Sequence, residues 1–349
     1  MVCFILLGAV IQNKKEKKLN HEKNITVQNI SVIVPFRNEE NRINELLSSY
    51  LNSKTIPSEI VFVNDHSSDN CEKKINEKIG HLPIKIISLN GDEIGKKCAI
   101  KKGILLAKND FILTQDADVY FSKDYFSNLE DLNQIHDMIV MPVKFSSNKI
   151  LNIDVALANA LNHSSSGIYK PIMASGANLL FKKKSYVKYG DIKAHKNILS
   201  GDDAFLLKAF TDNKLNVSVI SKPEFQVKTK SENSFNQILQ QRSRWIGKIN
   251  SVGDKYALFL AASQMLISIL YLPLLIYGIL TLPTTFILLF FLIKIGIDQV
   301  SLSFYFFRLR LYTEWFFIPI YSLLYPFYSV LLLLAGFRSK QNWKGREIN

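Results

Sequence analysis

Four short signatures between Asp65 and Trp245 carry residue types suited to chemistry on a phosphorylated substrate: VNDHSSD at 63–69, DAD at 116–118, SGDDAFL at 200–206 and QRSRW at 241–245. Carboxylates held near one another can take a hard divalent cation, and such a cation neutralises the charge that builds on a departing diphosphate. A further carboxylate can deprotonate an attacking hydroxyl. An arginine pairs with phosphate oxygens in a fork, and a tryptophan face stacks on a sugar ring. Each signature alone is common. Their order and spacing give them weight together.

The Asp65 carboxylate can accept a hydrogen bond from the imide N–H of uracil, while Ser67, Ser68 and Asp69 suit a turn, with Asp69 read as a helix cap. Asp116 and Asp118 leave an apolar run two residues apart. Asp202 and Asp203 open a helical pattern capped by Ser200 or Gly201, where acids also simply favour the helix dipole. Gln241 and Trp245 are four apart and share a helix face, with Arg244 adjacent and Arg242 left unassigned. The same segment reads equally as a basic amphipathic helix on a bilayer. Pro35, Arg37 and Glu39 follow the first apolar run, where a chain leaving a sheet can wrap a nucleotide, and Asn38 reads as an N-cap. Gly95 and Lys96 sit in a later connection, and Gly176 in ASGANLLF would let backbone approach a bound sugar.

From about Ser31 to Trp245 these motifs resemble the inverting family 2 glycosyltransferases, particularly the membrane-bound branch that includes cellulose, hyaluronan and ceramide-glucoside synthases. The resemblance implies a GT-A nucleotide-diphospho-sugar transferase fold, an α/β architecture with a Rossmann-like mixed sheet. It implies that Pro35, Arg37 and Glu39 line the nucleoside, that Asp65 reads the base of a UDP-sugar and that Lys96 lies near the nucleotide. Asp116 would face the sugar or ribose and Asp118 would hold Mg or Mn. Asp203, in the second acidic position of its motif, would be the general base. Asp202 departs from the commoner Glu-Asp form. Gln241, Arg244 and Trp245 match the family's Gln-x-x-Arg-Trp pattern.

Positioning these groups takes a sheet. Apolar runs at 31–36, 59–65, 84–89, 110–116 and 138–143 alternate with helical patterns at roughly 39–51, 69–80, 96–107 and 123–134, the mark of buried parallel strands. Ligands of such sheets settle beyond the carboxyl ends of the strands, where Asp65, Asp116 and Asp118 fall. A strand at 177–182 and helices at 202–212 and 234–247 are expected to supply the acceptor side. The GT-A domain is thus bounded at 28–250.

Residues 256–293 and 315–337 contain no charged side chain. A span needs roughly 20 apolar residues, so 256–337 is expected to be a membrane domain of two or three helices, broken near Pro283. Net charge is +13; seven basic and three acidic residues after Lys255 leave +9 on the rest. A basic domain beside spanning helices is read as facing anionic lipid at the cytoplasmic side, in preference to nucleic acid. Three spans would put the basic tail at 338–349 outside, against the positive-inside rule, whereas Arg308 and Arg310 would obey it. Lys294 and Asp298, four apart, can pair. Residues 1–12 are apolar but precede their lysines, the wrong order for a signal peptide, and are read as a short anchor. Cys3, Cys71 and Cys98 lack metal-ligand spacing and suit a reducing compartment.

The expectation is a membrane-bound enzyme moving a sugar from a UDP-sugar to a lipid or glycan acceptor at the cytoplasmic face. A processive polysaccharide synthase of the same family, a sugar-phosphate nucleotidyltransferase and a catalytically silent membrane protein are the alternatives.

Overall fold

A computed structural model describes residues 1–18, 24–146, 149–190, 202–232, 234–338, 341–343 and 346–348. The chain divides into two compact units. A sheet unit takes Lys15–Lys144, Met173–Lys230 and Asn342–Asn349, and a helical unit takes Met1–Lys14, Phe145–Ile172 and Ser231–Gln341. The polypeptide therefore enters the helical unit three times.

After the opening helix α1 (Val2–Lys18) come β1 (Ile30–Phe36), α2 (Ile43–Leu51), β2 (Glu59–Asn64), α3 (Cys71–Lys78), β3 (Ile84–Ser88), α4 (Lys96–Leu106) and β4 (Phe111–Thr114). β1 runs parallel to both β2 and β4, and β2 runs parallel to β3. Every residue of β1, β2 and β4 is buried, as the continuous apolar runs require of strands covered on both faces. Pro35 is tolerated inside β1 because the β1–β4 ladder stops at the Ile33–Thr114 pair, so the strand beyond it has an open side.

The next elements are β5 (Val119–Tyr120), α5 (Tyr125–Leu129), β6 (Met138–Val140) and β7 (Val143–Phe145). The single strand expected over 138–143 is thus two. Pro142 cannot donate to a ladder, and the buried Asn178 side chain fills the break: its Nδ2 donates to the carbonyls of Pro142 at 2.9 Å and Phe225 at 2.8 Å, and its Oδ1 accepts from the Tyr125 hydroxyl at 2.5 Å. α6 (Lys149–Ile168) follows, then β8 (Leu179–Lys182), α7 (Lys183–Tyr189), α8 (Asp202–Asp212), β9 (Val217–Val219) and β10 (Val227–Thr229). The main sheet has seven strands in the order β3-β2-β1-β4-β8-β6-β9, with β8 antiparallel to β4 and β6. A smaller sheet pairs β10 antiparallel with β5. α4 lies close on the main sheet at Gly103, where a Cβ would come 2.6 Å from the Ile33 Cγ2.

The helical unit holds α1, α6, α9 (Phe235–Val252), α10 (Lys255–Thr281), α11 (Thr284–Arg308), α12 (Tyr312–Trp315) and α13 (Ile318–Arg338). α10 and α11 are long and apolar enough to cross a membrane, and Pro283 separates them, its missing N–H suiting a helix start. Large apolar residues on both helices face outward, among them Leu280, 78% exposed, and Leu292, 66% exposed. α1 continues as helix through Lys14–Lys18, beyond the apolar stretch. It meets α6 backbone to backbone: a Cβ on Gly8 would come 2.2 Å from the Ser164 carbonyl oxygen and one on Gly167 would come 2.0 Å from that of Gly8. Inside α11, Lys294 pairs with Asp298, and both bond to Ser322 of α13.

Gly103→Ala gains about 1 kcal/mol of helix propensity but forces a methyl against β-branched strand residues, an overpacking cost of about 1–3 kcal/mol. Net destabilisation, read as a lower thermal midpoint of the purified protein, is expected.

Candidate active site

The carboxyl ends of β1, β2, β3 and β4 are tied into one rim by backbone and side-chain hydrogen bonds. Asp65, the residue after β2, donates its N–H to the Phe36 carbonyl at 2.9 Å. Its side chain, 1% exposed, accepts at Oδ1 from the Gly95 N–H at 3.1 Å. Gly95 has φ +99°, a conformation that only glycine adopts without strain, and this kink starts α4 with Lys96 at its head. Arg37 Nη1 donates to the carbonyls of Asp65 and His66 at 2.7 and 2.8 Å. Arg37 therefore clips the loop that carries Asp65.

The Asn38 side chain accepts from the Ser68 N–H at 2.8 Å, and Asn38 itself has φ +51°. It does not cap α2, whose N-cap is Arg42, so the expected cap at Asn38 is corrected. The segment leaves β1 through a left-handed residue, and the helix starts only after the chain has crossed to the β2 loop. Pro35 lies buried in β1, and the Glu39 carbonyl accepts from the Arg42 and Ile43 N–H groups. Asp69 accepts from the N–H of Cys71 at 3.2 Å, at the start of α3, and from that of Glu40 at 2.8 Å.

Lys96 is the centre of the rim. Its Nζ donates to Asp116 Oδ1 at 2.5 Å. Burial alone would pull this ammonium down, but Asp116, Asp202 and Asp203 outweigh it and hold the Lys96 pKa well above its ordinary value. A Cβ on Gly176 would lie 3.5 Å from Asp202 Oδ2 and 3.6 Å from Lys96 Nζ, so the backbone there passes directly over the cluster. The Gly176 N–H donates to Asp203 Oδ2 at 3.1 Å, and the Ala204 N–H donates to Oδ1 at 2.8 Å. The Asp203 carboxylate is thereby aimed from the first turn of α8. The caps expected at Ser200 or Gly201 lie outside the described residues.

Asp116 and Asp118 fall between β4 and β5 and face different cations, Lys96 for the first and Arg42, at 3.3 Å, for the second. Among the described residues no three His, Cys, Asp or Glu side chains form a ready metal cage. Hard carboxylate oxygens at two neighbouring positions nevertheless suit Mg or Mn, which commonly take one or two carboxylates and complete their shell from substrate phosphate.

Gln241, Arg244 and Trp245 belong to α9 in the helical unit. The helix is started by a capping box in which Ser234 Oγ accepts from the Gln237 N–H and Gln237 returns the bond to the Ser234 N–H. Burial pulls the Arg244 guanidinium below its ordinary value, opposed by the Glu232 carboxylate. Arg242, unassigned from the sequence, is the buried member of the motif, 4% exposed.

The model of Glycosyl transferase family 2 matches residues 31–178, and that of Glycosyl transferase family group 2 matches residues 111–337, more than half of the chain. The chain belongs to glycosyltransferase family 2. This glycosyltransferase is 30% identical over 115 residues to the 4,4'-diaponeurosporenoate glycosyltransferase of Staphylococcus aureus, an alignment that spans 33% of the chain and 30% of that relative. Its fold is similar to that of the mannosyltransferase PcManGT from Pyrobaculum calidifontis, solved with GDP-Man and Mn2+, at TM-score 0.56, 15% identity and 96% coverage of each chain. The GT-A type of sheet expected from the motifs is the one observed.

Arg42 is a rim residue that the sequence did not mark, while Gly95 and Asp202, both noted within their motifs, join the rim without having been assigned a role there.

The raised Lys96 pKa means that its stabilising effect is complete below about pH 10 and is lost only at higher alkalinity. In Lys96→Met, three carboxylates lose their counter-charge and their mutual repulsion raises carboxyl pKa values. Stability present in acid is then lost as pH rises through the carboxylate range. The thermal midpoint of the variant should fall further behind that of the parent at pH 7 than at pH 4.

Proposed function

We propose that this enzyme is membrane-bound and transfers a sugar, with inversion, from a UDP-sugar to a lipid or glycan acceptor at the cytoplasmic face. The observation that carries the reading is the convergence of Asp116, Asp202, Asp203 and the Gly176 backbone on Lys96 at the strand ends. Two apolar helices and the net positive charge of the rest of the chain support the membrane assignment.

In this reading Asp203 is the general base. Its carboxylate takes the proton of the acceptor hydroxyl as that oxygen bonds to the anomeric carbon, and the electron pair of the broken glycosidic bond leaves on the diphosphate. Inversion needs the base and the leaving group on opposite faces of the sugar. Lys96, surrounded by acids, would exchange Asp116 for a phosphate oxygen when the donor arrives. Asp118, with Asp116 beside it, would hold Mg or Mn, which when bound neutralises charge on the departing diphosphate. Asp65 reads the base, Pro35, Arg37 and Glu39 support the nucleoside, and Gln241, Arg244 and Trp245 serve the acceptor and diphosphate.

A carboxylate that accepts from the uracil imide also suits guanine, which offers two adjacent N–H donors, and the GDP-Man complex of the similarly folded mannosyltransferase favours testing that base second. A processive synthase within the same family differs only in product length, which a gel resolves.

Purified enzyme incubated with a panel of UDP- and GDP-sugars should release nucleoside diphosphate, and chelator should abolish the release. Asp203→Asn should lower kcat by about 10²–10⁴-fold with nucleotide binding retained. Undiminished turnover in that variant would remove the mechanism, and pyrophosphate release would point to nucleotidyl transfer.

A further inference from the structure

The guanidinium of Arg242 is contacted from several sides inside the helical unit. Its Nε is paired with Asp154 on α6, and the two side chains are 4% and 15% exposed. Its Nη1 donates to Gln241 Oε1 at 2.7 Å, and its face lies 4.2 Å from the centre of the Trp245 ring. Tyr321 of α13 donates its hydroxyl to the other Asp154 oxygen at 3.3 Å, so the carboxylate is itself held from a third helix. The Phe145 ring lies 5.3 Å from the guanidinium.

Two of the three motif residues of α9, Gln241 and Trp245, are therefore addressed by one side chain at a position where the motif specifies nothing. A planar cation can stack on an indole while its edge donates hydrogen bonds, and lysine cannot do both. A buried ion pair contributes little net stability compared with apolar packing, so its value lies in the geometry it imposes. We propose that Arg242, anchored by Asp154, is a positioning residue that sets the Trp245 indole and the Gln241 amide for the acceptor. The proposal rests on the assignment of Gln241 and Trp245 to the acceptor side made above.

The test uses the full chain labelled with 5-fluorotryptophan. Fluorine NMR gives one resonance for each of its three tryptophans, and Trp245→Phe identifies that of Trp245. Asp154→Asn and Arg242→Lys should each shift the Trp245 resonance and lower kcat with the acceptor by about 100-fold, while the donor Kd changes by less than about twofold. Asp154→Glu should recover much of both signals. An unmoved Trp245 resonance in both variants overturns the proposal, as does loss of kcat only in step with lost donor binding and a lowered thermal midpoint. If Asp154→Asn fails to fold, Arg242→Lys alone decides. If the parent enzyme turns over no nucleotide sugar, the functional assignment fails, and the NMR result still reports on the positioning contact.

Discussion

Three carboxylates around one ammonium are the constraint on which the sheet unit turns. Asp116 and the adjacent pair Asp202 and Asp203 come from distant parts of the chain, and like charges so placed repel unless a cation is built in among them. Lys96 is that cation, in salt-bridge contact with Asp116. The arrangement holds Asp116, Asp203 and the Gly176 backbone around one side chain. Three carboxylates to one ammonium leave the cluster net negative, so on the reading proposed above a divalent cation would offset charge that Lys96 alone does not.

Backbone geometry delivers this cation. Gly95 adopts a positive φ, turns the chain after β3 and gives its N–H to Asp65, so that the loops following β2 and β3 are tied through one carboxylate. On the other side Gly176 has no side chain to hold the strand-β8 approach away from Asp202, Asp203 and Lys96. The two glycines serve different ends, one for conformation and one for proximity. Rigid strands on both sides then limit how far either loop can drift, which a constellation of short side chains requires.

The parallel core was legible because burial on both faces leaves continuous apolar runs, and the positions of β1, β2 and β4 follow from them directly, while the edge strand β3 is only partly buried. The acids could be placed at strand ends for the same reason. What could not be read was set by partners distant in sequence. The split between β6 and β7 depends on Asn178 reaching back to Pro142, and the late start of α2 depends on Asn38 being drawn to Ser68. Arg42 opposite Asp118 has no local signature, since an arginine near a helix start is ordinary. Arg242 gave only its charge: its partner Asp154 stands 88 residues away on a helix from a separate passage of the chain through the helical unit.

That long separation explains a wider feature of the helical unit. On the membrane reading proposed above, helices that present apolar surface to lipid gain no hydrophobic selection of one packing over another, and close approach and polar contacts must supply it. Gly8 against Gly167 supplies the close approach between α1 and α6. Asp154 with Arg242 joins α6 to α9, Lys170 with Asp254 at 2.7 Å ties the chain after α6 to the cap of α10, and Asp298 with Ser322 joins α11 to α13. Asn152 Nδ2 adds a bond to Glu314 at 3.2 Å, from α6 to α12. Each contact would be a poor investment for stability alone, because desolvating a charge costs several kcal/mol. Among them the Asp154–Arg242 pair is the one that reaches α9, the helix that carries Gln241 and Trp245.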